Sequence, residues 1–519
     1  MPPASDWGGM PALVVAAPVI QLKALHPLEQ ERSYGYEDQV VRRVLEEHLI
    51  PTPEGFGIVR PVNSNVYAAL RRGDKEEIYD VDREEEELAK KWMKRHFHHM
   101  IGKFGPIAFE KVEINPDTSA GFPFRCSKQK AVWDHYDYLR WYTQPGNSDR
   151  PWPIWKITPK VEYLKRIKIE EDKIRLFRNP PLDYLILEKV IYTTQDEVLT
   201  TYSDDTWLAL GFVKENGGWD AFIRSLMKRG KYFYEWDVEN WDKAYGPELE
   251  RVCSEIRKTF FHDYESVRKD VDFLCEGAAY AFELLLNGWV MATGLDQKSG
   301  RLLTSSNNSL AHIFMLYIHY IRFCKKSGLV PTYDSCMSAW TNKVYSDDIA
   351  GATNQPELVD EDFLRSTYEL FGMGVKDYRC STNVIGLTFL GAKNIEWEFD
   401  CGRRYVPKYD SARMMYALLV NGGRVSTHKR AERINGLYHN LAFSEYLDVM
   451  DDLIVELKAL GEWPDDVPVP SQYQAQIAYT AMESREGNIN TCYNGDASSN
   501  ISQIYRARTT GEIPNGGAQ

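Results

Sequence analysis

Apolar positions recur along this chain at two spacings, and the spacing sorts much of it into strands and helices. Lys231-Tyr232-Phe233-Tyr234-Glu235-Trp236-Asp237 is aromatic-rich and ends on an acid, which predicts a strand. Gly246-Pro247 then introduces a helix with Leu249, Val252, Ile256 and Phe260 on one face. Leu185 to Leu199 is a second helical pattern, Leu302 to Phe323 a long and mainly apolar third, and Phe363 to Phe371 an amphipathic fourth ended by Gly372 and Gly374. Val344-Tyr345 and Ile349-Ala350 predict two short strands joined by a tight Ser346-Asp347-Asp348 turn, because Ser and Asp bond to nearby backbone in turns. Leu387 to Gly391 reads as a strand, and from Ser411 to about Ser484 stripes such as Met414, Leu418, Leu437, Leu441, Met450 and Leu453 predict helices.

The remaining stretches are less regular. Residues 1 to about 60 mix Pro, Gly and short apolar runs, as an extended arm or strap would. Gly73 to Lys91 is dense in charge with acids leading and lysines trailing, an order that suits a helix dipole, so a solvated helix is expected there. His96, His98 and His99 follow without an acidic companion at metal-ligand spacing and are expected at a surface or helix end. The polar, Gly-rich tail from Asn488 onward is expected to be mobile.

Composition narrows the class. With 43% hydrophobic residues the chain can bury a large core. A net charge of −13 argues against a generally basic nucleic-acid binder but not against a basic channel inside an acidic shell. The eight cysteines form no Cys-x-x-Cys pair, which favours a reducing compartment over a zinc ribbon or disulfide framework. No apolar run approaches the ~20 residues that span a bilayer, so direct membrane insertion is not expected, and Leu13 to Ile20 lacks the basic flank of a secretory signal.

Five features carry candidate chemistry. The Asp347-Asp348 pair on a hairpin tip would suit a divalent cation, although on its own such a pair is ordinarily a solvated turn. Asp237 and Asp242, at a strand end and five residues later, could meet that hairpin or simply cap the helix that follows. Lys156 to Arg178 holds eight basic residues against four acids, interleaved with apolar ones, and predicts β-hairpin strands with one buried and one cationic face suited to phosphates. The long helix opens with Thr304, Ser305, Ser306, Asn307, Asn308 and Ser309, more polar side chains than capping explains, which points to a polar ligand. The small residues of Thr118-Ser119-Ala120-Gly121-Phe122-Pro123 would admit a nucleic-acid backbone or form an ordinary turn.

Taken in order, these features resemble an RNA-dependent RNA polymerase of the picornavirus-like supergroup of positive-strand RNA viruses, over roughly residues 115 to 395 and across all seven family motifs. Thr118 to Pro123 is similar to the template-guiding motif G, and Lys160 to Arg175 to motif F with its Lys173-Ile174-Arg175-Leu176 ending. Asp237 and Asp242 resemble the two motif A acids, while Ser299-Gly300, Thr304 and Asn308 reproduce the motif B spacing. Tyr345-Ser346-Asp347-Asp348 stands where the family usually has Tyr-Gly-Asp-Asp, Lys376 resembles the motif D lysine, and Phe389-Leu390 begins a motif E look-alike. Two departures count. Ser346 replaces a glycine, as in nidovirus polymerases, and Gly391-Ala392 replaces the basic pair common in picornaviruses, which leaves astrovirus- or sobemovirus-like relatives open.

The resemblance implies an α+β right-hand fold: an N-terminal strap and fingers over 1–229, a palm over 230–400 built on a small antiparallel sheet packed on helices, with part of the fingers inserted near 265–300, and a helical thumb with a polar tail over 401–519. It implies nucleotidyl transfer from NTPs to an RNA 3′-hydroxyl with two Mg2+ ions, Mn2+ being a substitute, and Asp237, Asp347 and Asp348 as metal ligands. Lys376 would be a general acid. Lys160, Lys168, Lys173 and Arg175 would meet the triphosphate or the NTP entry path. Asp242, Ser299, Thr304 and Asn308 would select the ribose 2′-hydroxyl, and Thr118, Ser119 and Gly121 would line the template path. Implied partners are RNA template and product, NTPs, a viral protein primer where initiation is not de novo, and other replication proteins, in replication complexes at membranes of the host cytoplasm. A reverse transcriptase-like polymerase and a non-catalytic RNA-binding protein of the same fold are the alternatives.

Overall fold

The computed structural model describes residues 14–15, 36–50, 56–58, 68–70, 77–160, 163–171, 173–201, 206–285, 290–294, 297–421, 426–480 and 499–510. At its centre four antiparallel strands lie in the order Trp340–Tyr345, Asp348–Thr353, Tyr232–Glu239, Gly374–Ser381. Side chains alternate across a strand. Tyr234, Trp236 and Val238 therefore enter one apolar cluster with the long helix Thr304–Lys326, while Phe233 enters another with Phe222, Ile223 and Phe389. The sheet is thus covered on both faces, which explains why Phe233 as well as Tyr234, Trp236 and Val238 of this strand is apolar. The helix Pro247–Lys258 begins with proline at its first turn, as the sequence predicts.

A second sheet joins distant parts of the chain. Ile154–Pro159 pairs antiparallel with Leu176–Asn179 and parallel with Ala281–Leu284, which pairs in turn with Val290–Thr293. The basic segment is therefore a hairpin in outline, but between its strands the chain adds a strand Tyr163–Lys165 and a helical turn Arg166–Glu170. The charged residues of this insertion are exposed while Leu164 and Ile169 pack on a small apolar cluster, and the short helical turn satisfies backbone groups locally. Not all of its cations face outward. Arg178 is buried, with its Nε 3.0 Å from Glu283, and the Lys298 ammonium lies 3.1 Å from the same carboxylate.

Three expectations fail on burial. The charged stretch forms a helix only from Arg83 to His96, capped by the Asp82 side chain, and it is not a wholly solvated one. Ala89, Trp92 and Met93 pack on the long helix, because a short helix beside an apolar partner gains more from burying one face than from full solvation. His96 is likewise inside: its Nδ1 meets the Tyr317 hydroxyl at 2.8 Å, and burial holds its pKa down to about 3, so it is a neutral core histidine. His98 and His99 are exposed as expected.

The tail is the third case. Residues 488–498 lie outside the described residues, but Ser499–Asn500 pairs with Glu113–Ile114 and the helix Ile501–Thr510 follows. Ile501 and Ile504 are buried with Ala131 and Val132, and Tyr505 stacks on Tyr136 at 3.9 Å. The apolar spacing Ile501, Ile504, Tyr505 is a single helical stripe that polar neighbours hide in a compositional reading.

At the C-terminal side, helices Ser411–Leu419, Thr427–Asn440, Leu447–Ala459 and Gln472–Ile477 share one core. That core is completed from the opposite end of the sequence. Val41, Val44 and Leu45 of the helix Gln39–Glu47 lie in it, and Tyr36–Glu37 pairs with Val420–Asn421. The other N-terminal stretches, including Leu13 to Ile20 except for the backbone of Val14–Val15, are mostly outside the described residues.

Candidate active site

The hairpin between Trp340–Tyr345 and Asp348–Thr353 turns in two residues, Ser346 and Asp347, since Tyr345 pairs with Asp348. Ser346 takes φ +59°, in the left-handed region that a type II′ turn reserves for its first loop residue and usually fills with glycine. On the next strand Trp236 pairs with Ile349, which sets Asp237 beside Asp348 at the following register step. On Asp237's other side stands Lys376, its register partner, with an ammonium 2.9 Å from the Asp237 carboxylate. Asp242 sits on the helical turn Trp241–Ala244 that follows.

The carboxylates repel one another. Burial and then the charges of Asp347 and Asp237 push Asp348 up to about 7, and burial, with Asp237 and Asp242 adding to it, raises Asp347. Among the described residues no three ligating side chains are already gathered within reach of one ion. Like charges held apart in this way, with Lys376 as a stand-in cation on one of them, form the donor set a hard divalent ion would draw together.

Ser346 is fastened to the long helix by every polar group it has. Its N–H donates to Ser309 Oγ at 2.8 Å, its carbonyl accepts from His312 Nδ1 at 2.9 Å, and its hydroxyl accepts from Asn308 Nδ2 at 2.9 Å. The carbonyl can only accept, so His312 carries its proton on Nδ1; burial keeps it neutral with a pKa down at about 4, and Nε2 accepts from Tyr368, 2.6 Å away. Trp236 Nε1 donates to that same Tyr368 hydroxyl at 3.0 Å. Asn308 is held at its other end too, since Gln297 Nε2 donates to its Oδ1 and the Gln297 N–H donates to the Asp242 carbonyl at 2.8 Å.

Part of the polar opening of the long helix is internal wiring: Ser305, Ser306, Asn307 and Ser309 find partners within the protein. Arg257 donates to Asn307 Oδ1 and to Ser306 Oγ at 2.7 Å each, and Ser309 donates to the Ser305 carbonyl. Buried cations need such partners, and here they come from residues some 50 positions away that no local pattern reveals. Thr304 donates to the Lys298 and Arg301 carbonyls, its own turn. Ser299 Oγ accepts from the Arg178 N–H at 3.4 Å, and the Gly300 N–H donates to the Arg178 carbonyl at 3.0 Å. A Cβ at Gly300 would meet that carbonyl oxygen at 2.4 Å, so the close approach demands glycine.

Other predicted residues lie on other elements of the fold. Lys160, Lys168, Lys173 and Arg175 are exposed, with Lys173 2.7 Å from Glu171. Thr118 and Ser119 are exposed in a loop where Thr118 donates to the Asn115 carbonyl and Ser119 Oγ accepts from the Gly121 N–H. Two residues went unpredicted. His312 lies one helical turn from Asn308, a spacing that could have revealed it. Lys214 donates to the Leu390 carbonyl at 2.8 Å and Tyr409 at 2.9 Å; burial lowers its pKa to about 8, and its charge pulls Asp348 down. No sequence pattern marks it.

A family described as "Viral RNA-dependent RNA polymerase" matches residues 40–419. Among curated relatives, the non-structural polyprotein 1AB of Human astrovirus-5 is 25% identical over 297 residues, 55% of this chain and 20% of that protein. The corresponding polyprotein of Human astrovirus-8 is 24% identical over 261 residues, 49% of this chain and 18% of that protein. The genome polyprotein of Plum pox potyvirus (strain El amar) is 23% identical over 265 residues, 51% and 17%. The chain thus spans about a fifth of the length of these relatives, and the astrovirus matches agree with the branch that its motif departures left open.

Proposed function

Since the chain belongs to the viral RNA-dependent RNA polymerase family, we propose that its carboxylate cluster joins ribonucleotides onto an RNA 3′-hydroxyl under the direction of an RNA template. The observation that carries this reading is the meeting of Asp237, Asp347, Asp348 and Lys376 at one end of a four-stranded sheet. The family works with divalent metal ions. Here Asp237 and Asp347 are the proposed principal ligands with Asp348 assisting, for two Mg2+ or Mn2+ ions that lower the charge of the attacking and leaving oxygens.

The chain's own groups do the rest. Lys376, whose pKa its carboxylate neighbours raise against burial, keeps its proton at neutral pH and can deliver it to the departing pyrophosphate once the nucleotide has displaced it from Asp237. Lys160, Lys168, Lys173 and Arg175 are exposed cations suited to the triphosphate and its entry path. Asp242, Ser299, Thr304 and Asn308 are the proposed sugar-reading set, and Thr118, Ser119 and Gly121 the template path. In the same reading 1–229 form strap and fingers, 230–400 the palm with a fingers insertion near 265–300, and 401–519 the thumb, although Gln39–Glu47 packs in the thumb's core.

RNA and NTPs are the substrates this family implies; a viral protein primer, other replication proteins and membrane-bound replication complexes in the host cytoplasm are further proposals. Among the described residues no helix is long and apolar enough to cross a membrane. Primer extension on a homopolymer RNA tests the reading, run with NTP or dNTP and with or without a candidate protein primer. NTP incorporation that Asp347→Ala abolishes is the expected result, and full activity of Asp347→Ala would overturn it.

A further inference from the structure

Ser346 stands at a backbone conformation that glycine adopts freely and serine does not, yet its hydroxyl is not idle: it accepts from Asn308 Nδ2 at 2.9 Å. The Asn308 amide has three hydrogen-bonding positions that matter. Its oxygen accepts from Gln297 Nε2, one of its two amide hydrogens goes to Ser346, and the second hydrogen remains to be offered elsewhere. With both ends fixed the amide cannot turn. An N–H held in place makes a hydrogen bond to a ribose hydroxyl and is left unpaired by a deoxyribose, whereas an amide free to swing finds water instead and the difference between the sugars shrinks.

We propose that Ser346 is a positioning residue for sugar discrimination: by accepting from Asn308 Nδ2, its hydroxyl fixes the amide that meets the 2′-hydroxyl of the incoming nucleotide. This rests on the polymerase reading above and on Asn308 meeting the ribose. Replacing the serine leaves the other two ties of the turn intact, because Ser309 and His312 bind backbone groups of residue 346.

The test is the ratio of kcat/KM for NTP over dNTP in primer extension, for Ser346→Gly, Ser346→Ala, Asn308→Ala and the double variant Ser346→Ala/Asn308→Ala. Both Ser346 variants should lower the ratio by about fivefold, the factor that corresponds to ~1 kcal/mol, the net worth of one neutral hydrogen bond. A purely structural loss would slow both nucleotides equally and leave the ratio in place. Ser346→Gly removes the unfavourable φ and should melt no lower than the wild type, so the ratio can be read in a well-folded protein. In the Asn308→Ala background, Ser346→Ala should change the ratio less than about twofold, as expected of a residue acting through Asn308. An unchanged ratio in both Ser346 variants, with Asn308→Ala lowering it, overturns the role of Ser346 alone. An unchanged ratio in Asn308→Ala overturns the inference at its premise, and absence of any templated incorporation by the wild type overturns the polymerase reading with it.

Discussion

Binding of Mg2+ should release a proton from this protein near neutral pH, and the amount should depend steeply on pH. The perturbation is removal and return of the metal. Without it, Asp348 is held up at about 7 by burial and by Asp347 and Asp237. A pKa there leaves the cluster with about 0.9 of a bound proton at pH 6 and about 0.1 at pH 8, so metal binding releases close to one proton in the first case and few in the second. Apparent metal affinity should then fall about tenfold for each pH unit below 7. Stability changes in the opposite direction. Because the folded pKa lies above the ordinary 3.8, the contribution of Asp348 to the metal-free protein is fully present below pH 3.8 and is lost as pH rises through about 7. About three units at ~1.36 kcal/mol each amount to ~4 kcal/mol. Calorimetric titration with Mg2+ in two buffers of different ionisation enthalpy measures the proton count, and melting in EDTA across pH 5 to 8.5 measures the stability. Asp348→Asn should flatten both profiles. A metal affinity and proton release that stay constant between pH 6 and 8 would refute the reasoning.

Three further outcomes are expected. Lys214→Met removes the cation that pulls Asp348 down, so the proton-release window should move to higher pH in the same calorimetric titration. Glu283→Gln takes the shared carboxylate from buried Arg178 and Lys298 and should destabilise the fold by ~3–5 kcal/mol, seen as a lower urea midpoint. Ile504→Ala empties a buried site beside Ala131 and Val132; a loss of ~2–5 kcal/mol should undock the 499–510 segment, read as new protease cleavage there while the Asp347 hairpin stays protected.

The parts of this molecule that could be read from sequence are those whose information is local. The Tyr232–Glu239 strand, the Pro247–Lys258 helix and the acidic hairpin declare themselves through alternation, proline placement and turn chemistry within a few residues, although the hairpin turns on Ser346 and Asp347 alone and Asp348 belongs to the strand rather than to the Ser346-Asp347-Asp348 turn that the sequence predicts. Asp237, Asp347 and Lys376 were found because their spacing resembles a family pattern, and the sheet register brings them together. What stayed illegible depends on partners far along the chain. Asn307 looks like a ligand-binding residue until Arg257 is seen beside it, and His96, at its helix end as expected, looks solvent-facing until Tyr317 covers it. The Ile501–Thr510 helix has a polar composition, and only the strand Glu113–Ile114 and the groove beside it reveal its apolar stripe.

The two exchanged ends of the chain have a consequence for biogenesis. Val41, Val44 and Leu45 leave the ribosome before the rest of their core, and the helices that cover them, from Ser411 onward, leave hundreds of residues later. Ile501 and Ile504 emerge late and close a core whose other members, such as Ala131 and Val132, have been waiting since early in synthesis. Neither core can be completed by vectorial, segment-by-segment folding. Two apolar surfaces must therefore remain open through most of translation, as contacts of this sequence separation fold slowly and leave the nascent chain open to aggregation. Such a protein should need chaperone protection while it is made, and a premature stop before residue 499 should yield a product with one of those surfaces still uncovered.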